Sequence, residues 1–318
     1  MEMLGRTAND LFWLSRYIER AENMARLTEV GYRIVLLPRE NSNRHHEEWR
    51  STLQSAGCAD GYFEKYEELN TRDVVNYLLF DADNPSSVYS CLATARHNAR
   101  AQRTALTREM WESLNSSWIS FCDFKSDRIG PNELPAILDF VKDRSALFRG
   151  SMLNTILRND TFYFSQLGTF LERADNTARI IDVKYFLLLP QTELVGGKVD
   201  SFQWATILRS VSAHRSYRWV YKENYKPWRI AEYLILNEQM PRSLRSCYME
   251  IETALGDLAK LYGTEQPCHI TSRMVADRLK SGNINEIFQS GLHEFLEDFI
   301  ASNNRVGMEI SEAYHFAL

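Results

Sequence analysis

The chain has little of what would make it an exported, membrane-bound or nucleic-acid-binding protein. Its 318 residues hold five cysteines, Cys58, Cys91, Cys122, Cys247 and Cys268, an odd number with no Cys-x-x-Cys spacing. That set excludes a disulfide scaffold and fits reduced thiols in a cytoplasm. No run of about 18 apolar residues occurs, and residues 1–10 carry acidic and polar groups where a signal peptide would be apolar. The expectation is a cytoplasmic protein without a membrane partner. A net charge of -5 gives no field that would gather nucleic acid, so no nucleic-acid partner is expected either. A glycine-rich phosphate loop, Gly-x-Ser-x-Gly and His-Glu-x-x-His are all missing. Any ATP chemistry then belongs to a partner, and no cofactor is expected in the chain itself.

What is present is one octapeptide written twice. Residues 19–26 read Glu-Arg-Ala-Glu-Asn-Met-Ala-Arg and residues 172–179 read Glu-Arg-Ala-Asp-Asn-Thr-Ala-Arg, identical at six of eight positions. Residues three, four and seven apart share a helix face, so Leu11, Leu14, Ile18, Ala21 and Ala25 form an apolar stripe. Phe164, Leu167, Leu171, Ala174 and Ala178 repeat it. The alanines imply close helix packing. Glu19, Glu22, Asn23 and Arg26 fall beside the first stripe, and Glu172, Asp175, Asn176 and Arg179 beside the second, within roughly a quarter-turn. Charges in that place are expected to be half buried, and so either paired or used.

The repeat extends further. Trp49, Leu53, Ser55, Tyr62 and Tyr66 return 155 residues later as Trp204, Leu208, Ser210, Tyr217 and Tyr221. Tyr77, Leu78, Pro85, Ser87, Ser90 and Cys91 return 156 residues later as Tyr233, Leu234, Pro241, Ser243, Ser246 and Cys247. The chain reads as a single all-α domain, 1–318, made of two similar helical halves of about 1–150 and 151–318 related by a pseudo-twofold, with the octapeptide helices packed on each other.

In order, the pattern predicts a helix over 7–37 ended by Pro38, a polar stretch at 39–43, two short helices split by Gly57 and Gly61, and a short helix around Tyr77. A long helix follows from Asn84-Pro85 to about Leu114, and a loop with aromatic anchors over 115–131. Helix returns from Asn132. Asn159-Asp160 caps the second octapeptide helix, which Pro190 ends, and a linker at 195–200 puts Asp200 and Gln203 like a capping box.

The opening Met-Leu-Gly-Arg-Thr-Ala-Asn-Asp-Leu-Phe-Trp, both octapeptides, Glu-Met-Trp-Glu-Ser-Leu-Asn at 109–115, Leu147-Phe148-Arg149-Gly150 and Pro241-Arg242-Ser243 resemble the alpha-E domain family over essentially the whole chain. His97 departs from the pattern, in which relatives tend to carry Glu. The resemblance implies a bacterial protein encoded beside a circularly permuted ATP-grasp ligase, often with a transglutaminase-like protein. Its role would then lie in making or processing an amide-linked peptide. The resemblance carries over no catalytic residue.

Two readings of the octapeptides stand side by side. As a ligand site, Arg26 and Arg179 would hold the carboxylate of an amino-acid-like ligand and Glu19 and Glu172 its amine. As a structural network, Glu22–Arg26 and Asp175–Arg179 are favourable i,i+4 pairs. Arg96, Arg100 and Arg103 form a stripe that could bind phosphate or carboxylate, with Glu109 further on, and the octapeptide acids are its expected partners. His97 beside that stripe is expected neutral and hydrogen-bonded. A di-iron bundle needs two Glu-x-x-His pairs; only Glu312-x-x-His315 fits, so no metal site is assigned, and a divalent metal held by oxygens alone stays open. Trp111, Trp118, Trp204, Trp219 and Trp228 read as core and interface residues, and Cys91 and Cys247 as inert buried thiols. The function expected is a helical accessory or substrate-binding component working with an ATP-grasp-type amide ligase. The alternatives are a stand-alone enzyme acting on an amide through the octapeptide carboxylates, and a purely structural assembly protein.

Overall fold

Helices and connecting turns account for all of the described residues, which are 3–36, 44–124, 133–188, 198–222 and 225–316 of a computed structural model. The fold is all-α. The first half runs α1 (Gly5–Val35), α2 (Arg44–Ser55), α3 (Ala59–Lys65), α4 (Thr71–Leu79), α5 (Val88–Ala101), α6 (Arg108–Cys122) and α7 (Glu133–Thr155). The second runs α8 (Asp160–Leu188), α9 (Lys198–Ser210), α10 (His214–Tyr221), α11 (Pro227–Ile235), α12 (Leu244–Tyr262), α13 (Pro267–Ser281), α14 (Ile284–Ser290) and α15 (Leu292–Ala313).

The two longest helices, α1 and α8, carry the octapeptides and pack on each other at the centre. Their apolar stripes are buried from Leu11 to Ala25 and from Phe164 to Ala178, and each fully buried Leu or Phe contributes roughly 1.5–3 kcal/mol. α1 packs on α5 and α7 as α8 packs on α12 and α15; α6 joins α5 and α7 as α13 joins α12 and α15. Across the seam, α2 reaches α8 and α9 reaches α1. Closest approach comes at Gly168, where an added Cβ would lie 2.1 Å from the Phe12 carbonyl oxygen; only glycine lets the two backbones come so near.

Local details recur with the repeat. Ser87 and Ser243 each cap a helix by accepting a backbone N–H, from Ser90 at 3.1 Å and Ser246 at 3.0 Å. Tyr62, Tyr66 and Tyr77 cluster with ring centroids 4.8 to 6.2 Å apart, and Tyr217, Tyr221 and Tyr233 do so at 4.9 to 5.8 Å. The chain turns left-handed after α2 at Gly57 (φ +68°) and after α9 at Ser212 (φ +58°).

Several boundaries differ from the sequence pattern. The helix expected from Asn84 to Leu114 is two helices, and the first starts only at Val88, because Asn84 uses its side chain in a turn, donating to the Tyr77 carbonyl and accepting from Ser86 N–H, both at 3.0 Å. Thr107 then caps a new start by accepting from Met110 N–H. α6 continues to Cys122 where a loop was expected; its serines bond back to carbonyls on the preceding turn, Ser113 to Met110 at 2.8 Å and Ser117 to Ser113 at 2.5 Å, which satisfies the hydroxyls within a helix. Gly61 lies inside α3, so Gly57 alone makes the break. α9 begins at Lys198, placing Asp200 within the helix rather than at its cap. Pro38, the stretch 39–43, Pro190 and the linker residues 195–197 lie outside the described residues.

Candidate functional site

Two Glu-Arg dipeptides meet where α1 and α8 pack. Glu19 accepts from Arg173 through both oxygens, from Nε and Nη2 at 3.0 Å each. Glu172 accepts from Arg20 in the same way, at 2.6 and 3.0 Å. Each helix supplies the acid of one pair and the base of the other. Bidentate guanidinium–carboxylate pairs are planar and directional, so two of them fix the register of one helix on the other. Arg20 also lies over the Tyr17 ring at 5.6 Å and Arg173 over the Phe170 ring at 5.0 Å, positions 153 residues apart. The acids are more deeply placed than the sequence pattern implies: Glu19 is 1% exposed and Glu172 2%.

Around this shared crossing the two layers differ. In the Glu19 layer, Arg149 of α7 donates from Nη1 to Glu19 Oε2 at 2.9 Å. Arg242, just before α12, donates from Nη1 to Glu19 Oε1 at 2.9 Å and from Nη2 to Glu22 Oε1. Arg26 grips Glu22 Oε1 from Nε at 2.9 Å and Nη2 at 2.6 Å, and donates from Nη1 to the Ser210 carbonyl and the Ser212 hydroxyl. Arg173, Arg149, Arg242 and Arg26 thus surround two carboxylates. In the Glu172 layer, Arg16 adds one bond of 2.8 Å to Glu172 Oε2, and Arg179 pairs with Asp175 at 2.6 Å. Three guanidinium groups there face two carboxylates.

The repeat explains the difference. Ser145 of α7 donates to the Ile18 carbonyl and Asn303 of α15 to the Leu171 carbonyl, so these residues occupy like places. One turn on from them stand Arg149 and Gly307. The guanidinium of Arg16 reaches the space beside Gly307, where a Cβ would lie 3.7 Å from its Nη1. Arg242 has Ser86 as its counterpart 156 residues earlier.

Electrostatics follow the count. Burial alone would raise the Glu19 carboxyl, but Arg173, Arg149 and Arg242 outweigh it and hold it at about 2. Glu172 is likewise driven against its burial to about 2 by Arg20 and Arg16, and Glu22 is held well below the usual range by Arg242, Arg149 and Arg26. Arg173 is buried and Arg20 half-buried, yet their glutamates push both up. Arg242 moves the other way: burial, helped by the charges of Arg26 and Arg173, brings it down to about 10 in spite of Glu22 and Glu19. Burial is the largest cause of that fall, and its two carboxylate partners, opposed by Arg26 and Arg173, do not outweigh it.

Unpartnered atoms collect at the same place. Arg149 Nη1 is 2.6 Å from Glu22 Oε2, but off the line of a hydrogen bond, and that oxygen accepts none among the described residues. Both amide atoms of buried Asn23 lack a partner there too, as does Nδ2 of Asn176 in the other layer. Such atoms cost about 1–3 kcal/mol each when nothing bonds them.

Of the other residues singled out by sequence, Arg96 donates to Asn115 of α6 at 2.8 Å, and Arg103 lies 5.5 Å from the Trp111 ring. Arg100, Arg103, Glu109 and His97 are exposed. The arginine stripe therefore does not pair with the octapeptide acids, because α5 turns it toward α6 and solvent. Among the described residues no group of three His, Cys, Asp or Glu could hold a metal, and Glu312 and His315 are exposed at the end of α15. Burial pushes the Cys91 and Cys247 thiols up to about 12. The sequence pattern missed Arg16, Arg20, Arg149, Arg173 and Arg242. Two signals pointed at four of them: the Glu-Arg dipeptide, which holds Arg20 and Arg173, is identical in both octapeptides, and Arg149 and Arg242 lie in segments that carry the family resemblance; nothing in the pattern pointed at Arg16.

A family model for Alpha-E, described as a predicted alpha-helical domain with a conserved ER motif, matches residues 3–315. No curated protein and no solved structure matches the chain.

Proposed function

This chain belongs to the Alpha-E family, and from that premise we propose that it is a helical accessory component that binds an anionic peptide substrate for an ATP-grasp-type amide ligase. One observation carries the binding part of this reading: in the Glu19 layer four guanidinium groups share two carboxylates, and Arg242 is held there at a depressed pKa. A carboxylate or phosphate group supplied by a ligand would neutralise the excess and take up bidentate donors. Arg149, with 17% of its side chain exposed, is the most open of the four. The ligase partner rests on the family resemblance.

Calorimetry with short peptides tests the reading. A peptide with a free C-terminal carboxylate should bind at least about tenfold more tightly than its amidated form, a gap of about 1.4 kcal/mol, and Arg242→Gln should erase the difference. Equal affinity for both forms, or binding to neither, would sink it.

A second reading has its own support. Each octapeptide carboxylate is already paired within the fold, as a structural assembly protein would require. The stand-alone enzyme is less well supported: a carboxylate near 2 with its oxygens occupied is a poor general base at neutral pH.

A further inference from the structure

Residues 209–229 contain six Lys or Arg and one acid, in a chain whose net charge is -5. The segment at the same place in the first repeat, 54–74, contains five acids and two Lys or Arg. The repeat has kept the fold of this corner, with its tyrosine cluster, and reversed its charge. On the basic side Arg209, Arg215, Arg218 and Lys222 are exposed and make no ion pair among the described residues. The three arginines lie close enough to His214 to oppose its protonation, adding to the effect of its burial. Between them Trp219 is 77% exposed and Trp228 38%, although the sequence pattern assigns both to core or interface. On the acidic side Asp60, Glu64, Glu67 and Glu68 of α3 and the turn after it are exposed and equally unpaired among the described residues, beside Phe63 at 37% exposure.

We propose that the basic, tryptophan-bearing face of α10 and the start of α11 docks on the acidic face of α3 in a second copy of this chain. Tryptophan and arginine are the side chains that most often anchor protein interfaces, and unpaired charges of opposite sign steer and select the partner. Each copy carries one face of each kind. Two chains can therefore close with two equal contacts, or more chains can add head to tail.

Sedimentation velocity across the micromolar range tests this. The wild type should associate in about 50 mM salt and dissociate in about 500 mM, where charges are screened within a few ångströms. Arg215→Glu with Arg218→Glu should raise the dissociation constant at least about tenfold, as should Asp60→Arg with Glu64→Arg. All four positions are exposed, so both variants should melt as the wild type does. Mixed together, the two variants should associate again, since each then offers the face the other lacks. A wild type that stays monomeric throughout, or association indifferent to both charge reversals, would overturn the proposal. So would a monomer whose basic face instead captures anionic vesicles.

Discussion

The Glu19 and Glu172 layers are built from nearly the same eight residues, cross-pair through the same Glu-Arg dipeptide, and still carry different charge. One surrounds two acids with Arg173, Arg149, Arg242 and Arg26; the other surrounds two acids with Arg16, Arg20 and Arg179. What is shared holds the helices together, and what differs comes from outside the octapeptide, at Arg149 against Gly307, Arg242 against Ser86 and, in the other sense, Arg16 against Thr169. A repeated motif can therefore mark a structural device in both copies while its surroundings make one copy something more.

The largest effect should come from removing the shared acids. Glu172→Gln and Glu19→Gln each take the countercharge from buried guanidinium groups and should cost about 3–5 kcal/mol, a fall of several degrees in melting temperature. Glu19→Gln should fall further, because it leaves four arginines on Glu22 alone; equal falls would break the comparison. Acid should act on both layers together. Glu19 and Glu172 titrate near 2 in the folded chain, below their ordinary value of 4.5, so the stability they contribute is present above about pH 4.5 and lost as pH drops toward 2. Melting curves that hold steady from pH 5 down to about 2.5 would contradict this.

A smaller change probes the gap left in the second layer. At Gly307 an added Cβ meets Arg16 at 3.7 Å, an ordinary contact, so Gly307→Ala should raise stability by about 0.5–1 kcal/mol through helix propensity. Chemical denaturation reads the sign; a loss would mean the pocket around Arg16 is tighter than this. The smallest effect belongs to the far ends of α1 and α8. Glu29 pairs with Lys142 at 2.8 Å, and Asp182, 153 residues on, pairs with His293 at 2.7 Å. Burial would lower His293, but Asp182, Glu297 and Glu294 outweigh it and raise it above 6.5. Asp182 is itself raised, since burial exceeds the pull of His293. The His293 contribution should thus be present below pH 6.5 and fade as pH rises through its raised value. An NMR titration placing His293 below 6.5 would remove this difference between the halves.

Much of the architecture was legible in the sequence because the repeat is long and its spacing steady. The stripe from Leu11 to Ala25 and its copy gave the buried faces; the repeated Ser87 and Ser243 cap two helices, although the pattern puts the first of these starts at Asn84. The break between α5 and α6 was not legible, since nothing at 102–106 stops a helix; nor was the start of α5 at Val88, since Asn84 looks like a cap until its side chain is seen in a turn. The site was half legible. Periodicity finds partners on one helix, so it finds Glu22–Arg26 and Asp175–Arg179; Glu19–Arg173 and Arg20–Glu172 exist only once two helices are laid together.

The central claim is that the Glu19 layer holds one cation more than the Glu172 layer for the same two acids, and the comparison of Arg20→Gln with Arg242→Gln tests it most directly. Arg20 is raised by its bidentate hold on Glu172, whereas Arg242 is brought down to about 10 by burial and by neighbouring arginines. In thermal melts Arg20→Gln should fall by several degrees, matching the loss of one partner of a buried pair. Arg242→Gln should change little or rise, because Arg173, Arg149 and Arg26 still cover both acids. If Arg242→Gln falls as far as Arg20→Gln, Arg242 is simply another strut of the fold, and no cation is left over for a ligand.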